Sequence, residues 1–197
     1  GLGGVDTLEG GRGDDVYYID DAGDVIKEVV NRGSDEVWAE VNYTLAPNQS
    51  IEHLFAYGKD VLVLTGNNLD NEISANFGNN TLDGGGGTDL LTGLLGRDTF
   101  KFSTAPHAGD LVHISDFASD DDVIELDHTA FAGLTTVGPE AFKDLATGVA
   151  DADDRILYDS ATGALFFDAD GGGATAAIQF AVLDNHAAIT AEDFKVV

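Results

Sequence analysis

From Gly66 to Lys101 the chain repeats every nine residues without a gap, and each repeat has Asp or Asn sixth and an apolar residue eighth. The sixth places are Asn71, Asn80, Asp89 and Asp98, and the eighth are Ile73, Leu82, Leu91 and Phe100. A second block, Gly1 to Lys27, holds the same frame at Asp6 with Leu8, Asp15 with Tyr17 and Asp24 with Ile26. In each repeat six residues rich in glycine make a tight turn that enters positive φ. The other three make a short strand whose middle side chain points inward. A nine-residue step reverses the chain, so eighteen residues close one flattened coil, and coils stack about 4.8 Å apart like neighbouring parallel strands. Residues eighteen apart become vertical neighbours.

Glycine in such turns lets carbonyls face a cation. Calcium takes oxygens at about 2.3 to 2.6 Å, so an ion midway between two stacked turns reaches both. Without it the same stack sets two carboxylates face to face, repelling by roughly 1 kcal/mol even at water's dielectric constant. Metal therefore drives folding.

The formal net charge of −27 argues against nucleic acid and anionic lipid as partners and leaves cations as the complement. At 197 residues and 43% hydrophobic the chain is large enough for a core. It has no cysteine, hence no disulfide or thiolate chemistry, and no apolar run approaching the ~18 residues of a membrane span. It has no methionine and opens in mid-pattern at Gly1, which reads as the C-terminal part of something longer.

In these repeats the sequence resembles the RTX calcium-binding family. The resemblance implies an all-β fold: a right-handed parallel β-roll in which carbonyls and sixth-place side chains of two turns eighteen residues apart share one calcium ion. Carried over, one ion joins Leu2, Gly4 and Asp6 to Ile19, Asp21 and Asp24. A second joins Asn67, Leu69 and Asn71 to Gly84, Gly86 and Asp89, and a third joins Asn76, Gly78 and Asn80 to Gly93, Leu95 and Asp98. Gly11, Gly13 and Asp15 need a partner near residue 33, where the frame slips by two, giving Glu28, Gly33 and Asp35. Leu69, Leu2 and Leu94 stand where the family has turn glycines, and Asn71 and Asn80 where it has aspartate. Stacked Asn side chains forming a ladder without metal are the competing reading of the second and third sites.

Residues 25–65 hold strand-like runs around Trp38, Leu54 and Val63 that begin and end in register with glycine turns, so the roll is expected to span 1–110 with this insert as wider coils. Tyr43 and Trp38 are expected to pack in the core or at an edge. Residues 111–197 are expected to cap the roll, with short helices over 129–146 and antiparallel strands around Leu157, Phe166 and Phe180. The acids around Asp116, with Asp110, are candidates for a further ion or simply an exposed acidic turn. Asp168-Ala-Asp170-Gly171 fails as an EF-hand, since Gln179 stands where a bidentate Glu is required.

This second half resembles the C-terminal region of serralysin-type proteases and other proteins exported by bacterial type I systems, with Asp193 to Val197 as the uncleaved export signal. That implies a secreted, extracellular or surface location, an ABC-transporter secretion apparatus as partner, and an upstream domain. No His-Glu-x-x-His helix, Gly-x-Ser-x-Gly elbow or phosphate loop is present, so no enzyme is expected here. The expected function is a calcium-binding module that folds outside the cell and serves export and stability. The competing one is a polysaccharide- or surface-binding module on the same roll, which wants exposed aromatic or basic residues at the coil period; Tyr18 and Lys101 alone hint at it.

Overall fold

The computed structural model describes residues 3–28 and 33–197. The first two coils give β1 (Thr7–Glu9), β2 (Val16–Ile19), β3 (Val25–Lys27) and β4 (Glu36–Ala39). The insert supplies β5 (Tyr43–Thr44), β6 (His53–Ala56) and β7 (Val63–Thr65). The unbroken repeats give β8 (Glu72–Ser74), β9 (Thr81–Asp83), β10 (Thr88–Thr92) and β11 (Thr99–Phe102). Beyond them lie β12 (Leu111–Ile114), β13 (Val123–Leu126), β14 (Phe142–Asp144) and β15 (Ile156–Asp159). The chain finishes with β16 (Ala164–Phe167), β17 (Ile178–Leu183) and β18 (Phe194–Val196).

Even-numbered strands from β2 to β12 stack in parallel, and odd-numbered strands from β5 to β13 do the same in a second sheet. This is a parallel β-roll. Register follows the eighteen-residue period wherever repeats are intact, pairing Ile73 with Leu91 and Leu82 with Phe100. In the insert the step varies, from Val37 to Leu54 to Ile73, yet each inward residue still lands on the one below. The core is therefore two columns. Val37, Leu54, Ile73, Leu91 and Ile114 form one, and Leu64, Leu82, Phe100 and Ile124 the other, all fully buried. Burying a Leu, Ile or Phe contributes about 1.5–3 kcal/mol each, so the columns are the main apolar source of stability. Tyr43 lies in this core as expected, but Trp38 does not: the pleat that sends Val37 and Ala39 inward turns Trp38 outward.

Both sheets run past residue 110 without interruption. Strand β12 pairs with β10, and β17 and β18 add a last parallel coil onto β12 and β13. Between these, β15, β16 and β17 are antiparallel as the sequence suggests, with β14 at the edge.

The short helices expected over 129–146 are absent. Single turns on Asp127 and Phe131 and the strand β14 take their place. Gly133 at positive φ, the β-branched run from Thr135 to Val137 and Gly138 leave no stretch long enough to nucleate a helix. Phe131, fully buried against Phe102, Phe167 and Phe180, fixes the segment instead. One three-residue 3-10 turn, Ala191–Asp193, precedes β18 and is capped by Thr190. Phe194 is buried, and Lys195 extends from the strand to Glu125 at 2.9 Å.

Candidate metal centre

The sixth residue of each turn has a structural role that its residue type alone does not disclose. At four aspartates the side chain accepts a hydrogen bond from the backbone N–H of the corresponding residue one coil earlier. Asp24 accepts from Asp6, Asp35 from Asp15, Asp89 from Asn71 and Asp98 from Asn80, at 2.7–2.9 Å. The pattern outlasts the repeats, since Glu52 accepts from Asp35 and Asp122 from Asp98, both at 2.8 Å. Sequence reasoning missed Glu52 and Asp122; their coils depart from the eighteen-residue step. The signal that locates them is an acid just before the next inward apolar residue, Leu54 or Ile124.

One carboxylate oxygen is left over by this bonding, and at three places it is buried. The Oδ2 atoms of Asp15, Asp35 and Asp89 have no solvent contact and accept no hydrogen bond. Such an oxygen is costly unless a cation faces it. At the first two the structure collects a third acid: Asp15, Glu28 and Asp35 each offer an oxygen, all within 4.8 Å of one another. Burial raises the Asp35 carboxyl above the usual carboxylate range, and the charges of Glu52, Asp15 and Asp14 push the same way, against the Asp15 N–H bond. Tyr17, whose hydroxyl donates to Glu28, anchors that side chain from below. Gly33 is required by close approach. A Cβ there would lie 2.1 Å from the Gly13 carbonyl oxygen, so the two turns touch at these glycines.

The asparagine turns are built differently. The Asn80 amide donates to the Gly78 carbonyl at 2.7 Å and to Asn76 Oδ1 at 3.0 Å, so an NH2 group sits where the expected third site would present oxygens to an ion. Asn71 donates to the Ile51 carbonyl at 2.8 Å and accepts from the Asn67 N–H at 2.9 Å, while Asn67 reaches back to the carbonyls of Ala46 and Gln49. The Asn67, Asn71 and Asn80 amides bond mainly to backbone carbonyls, with Asn80 also bonding Asn76 inside its own turn, whereas Asn68 donates to Asn48 Oδ1 one coil away at 2.9 Å, as a rung of a side-chain ladder would. Their acidic partners remain under strain. Burial raises Asp89 to about 7, helped by Asp70, Asp83 and Asp110 and opposed by the Asn71 N–H. It raises Asp98 to about 6, helped by Asp122 and Asp116 and opposed by the Asn80 N–H.

At the first expected site Asp6 and Asp24 stack as described, and Leu2 lies outside the described residues. The Ile19 carbonyl there already accepts from the Glu40 N–H at 2.9 Å, and that of Asp21 from Asp24 at 3.0 Å. Gly84 and Gly93 lie against the carboxylates of Asp89 and Asp98, which a Cβ at either glycine would crowd at 2.3 and 2.8 Å. Leu69 donates its N–H to Asn67 Oδ1 at 2.8 Å, and Leu95 is exposed. Asp116 accepts from the N–H groups of Gly93 and Leu94, which makes it a turn-holding residue. Asp168 likewise accepts from Asp170, Gly171 and Gly172.

Stacked turns of a parallel roll that gather carboxylate oxygens, as at Asp15, Glu28 and Asp35, suit a divalent cation held by oxygen ligands. Specifically, residues 1–26 and 65–100 match the RTX calcium-binding nonapeptide repeat, in four copies, and these repeats bind Ca2+. The rest of the chain, including the insert and everything after residue 100, lies outside that match. No curated protein matches the chain. Among the described residues, no helix is long and apolar enough to cross a membrane.

Proposed function

We propose that this calcium-binding module belongs to the C-terminal part of a secreted bacterial protein, folds on meeting extracellular calcium, and serves type I export and stability without catalysis of its own. The observation that carries the reading is the group of Asp15, Glu28 and Asp35, with two buried carboxylate oxygens that no protein donor satisfies. In this reading Gly11, Gly13 and Gly33 add carbonyls to that ion. Three weaker ions take Leu2, Gly4, Asp6, Ile19, Asp21 and Asp24; Asn67, Leu69, Asn71, Gly84, Gly86 and Asp89; and Asn76, Gly78, Asn80, Gly93, Leu95 and Asp98, the last once the Asn80 amide turns its oxygen in place of its NH2 toward the Gly78 carbonyl. Sites with affinity on the order of 0.1 mM are nearly empty in cytosol and filled outside, so folding happens on the far side of the membrane.

Calorimetric titration of Asp35→Asn is expected to show one calcium fewer than the parent chain, with the remaining sites bound as before. Unchanged stoichiometry overturns the assignment. For export, a chain lacking Phe194 to Val197 is expected not to leave cells that carry a type I exporter, whereas the full chain does. Equal export of both removes that part of the proposal. A β18 strand that docks only after passage is compatible with an export signal at the same residues, because the partner strand β13 forms only once calcium is present.

A further inference from the structure

The outer face of the ten-stranded sheet carries a row of rings that the calcium turns do not use. Register sets Tyr18 of β2 beside Trp38 of β4, and Trp38 beside Phe55 of β6. The Trp38 and Phe55 rings lie 4.9 Å apart, and Tyr57 stands edge-on to Tyr18 and Trp38 at 6.3 and 6.5 Å. Tyr18 is 56% exposed, Tyr57 48%, and Phe77, just beyond the row, 73%, while Trp38 and Phe55 are half-buried against each other. Past Phe55 the row runs into a cavity of about 410 Å³ between Phe55, Phe77 and Leu94, which Ser74 and Asn76 also line. Two residues back along the same strands runs a polar row, Glu36 beside His53 and His53 beside Glu72. Glu36 accepts from the Trp38 indole N–H at 3.0 Å, and His53 bonds Glu72 at 3.0 Å while stacking on Phe55.

A contiguous exposed apolar patch rimmed by polar groups marks a recognition surface, and the layout of this one narrows its ligand. Rings and hydrogen-bonding side chains form two straight parallel rows that cross the strands, so the ligand repeats in one dimension along the roll axis. A pyranose chain does this: each unit has an apolar C–H face for a ring and hydroxyls at its edge for carboxylate and imidazole. The net charge of −27 disfavours a polyanionic chain. A protein laid over the rows would bury Glu36 and Glu72, whose oxygens need donors, whereas sugar hydroxyls supply donors at every unit.

We propose that this face binds a linear, neutral, β-linked glycan, its sugar rings stacked on Tyr18, Trp38 and Phe55 and its hydroxyls bonded to Glu36, His53 and Glu72. The coil that calcium organises thus serves as a ruler, setting rings one strand apart.

Trp38 is the chain's only tryptophan, so intrinsic fluorescence reads the site directly. Titrating the calcium-loaded protein with cellohexaose or laminarihexaose is expected to shift the emission to the blue and saturate with at least one of them. By calorimetry, Tyr18→Ala and Phe55→Ala are each expected to weaken binding by about tenfold, the scale of one lost stacking contact. Val149→Ala, at an exposed residue of the C-terminal part outside both rows, is expected to change nothing, and circular dichroism with calcium checks that all three variants fold. No response to either hexaose overturns the proposal. So does a response confined to oligoalginate or to cationic chitosan oligomers, or a fluorescence change that follows protein concentration and self-association by sedimentation.

Discussion

Removing calcium is expected to lower the thermal midpoint of this protein by roughly 20 °C or more, the largest change any single solution variable makes to it. Two arguments give that size. At about 10 mM calcium, a hundredfold the proposed dissociation constant, each ion stabilises by about 2.7 kcal/mol, and the four proposed ions together by roughly 10 kcal/mol, as much as the whole stability of an ordinary domain. Independently, oxygens of Asp15, Glu28 and Asp35 lie within 4.8 Å of one another. With all three ionised and no cation, each pair repels by about 3 to 4 kcal/mol at an effective dielectric constant near 20. Chain entropy and this repulsion act together against the metal-free roll. Circular dichroism in excess chelator is expected to show a largely uncoiled chain at neutral pH near physiological temperature, becoming β-rich near millimolar calcium. Magnesium at equal concentration is expected to recover little, because its smaller octahedral shell does not reach both turns. A melting curve identical in chelator and calcium would remove the structural role of the ion.

How far the sequence foretells this architecture depends on the kind of side chain. Eighth-place residues such as Ile73, Leu91 and Phe100 are legible because one buried face per three-residue strand leaves a single phase for the pleat. The slip that brings Asp35 and Glu28 to Asp15 is also legible, since a turn lacking a partner must find acids and a glycine about one coil later. Trp38 is not. In Glu36-Val-Trp-Ala-Glu40 both alternations contain apolar residues, and only the register with Tyr17 and Leu54 decides that Val37 goes inside. Nor are the amide directions legible: Asn80 reads as a weaker copy of aspartate, yet its NH2 gives it a donor, which it spends on the Gly78 carbonyl. Coils of uneven width hide Asp122, which stacks above Asp98 twenty-four residues on.

The second large effect is a pH dependence of stability that metal suppresses. Burial holds Asp89 at about 7 and Asp98 at about 6, against an ordinary value of 3.8, and raises Asp35, Asp83 and Asp122 as well. A carboxyl with its pKa raised on folding binds protons more tightly folded than unfolded. Its protonated form therefore favours the metal-free roll below the unfolded value, and the advantage is lost as pH climbs through 6 and 7. For Asp89 alone the full change is about 4 kcal/mol, spread between about pH 4 and about pH 7. Metal-free protein is thus expected to resist urea better near about pH 5 than near about pH 8. Calcium needs the same oxygens deprotonated, so in saturating calcium this dependence is expected to flatten, and the two stability curves converge toward low pH, where protons displace the ion. The same competition predicts that adding calcium to folded metal-free protein in weak buffer near about pH 6 releases protons. Urea midpoints with and without chelator, together with a pH electrode, measure both. Parallel slopes, or calcium uptake with no proton release, would mean that the ion does not face Asp89 and Asp98.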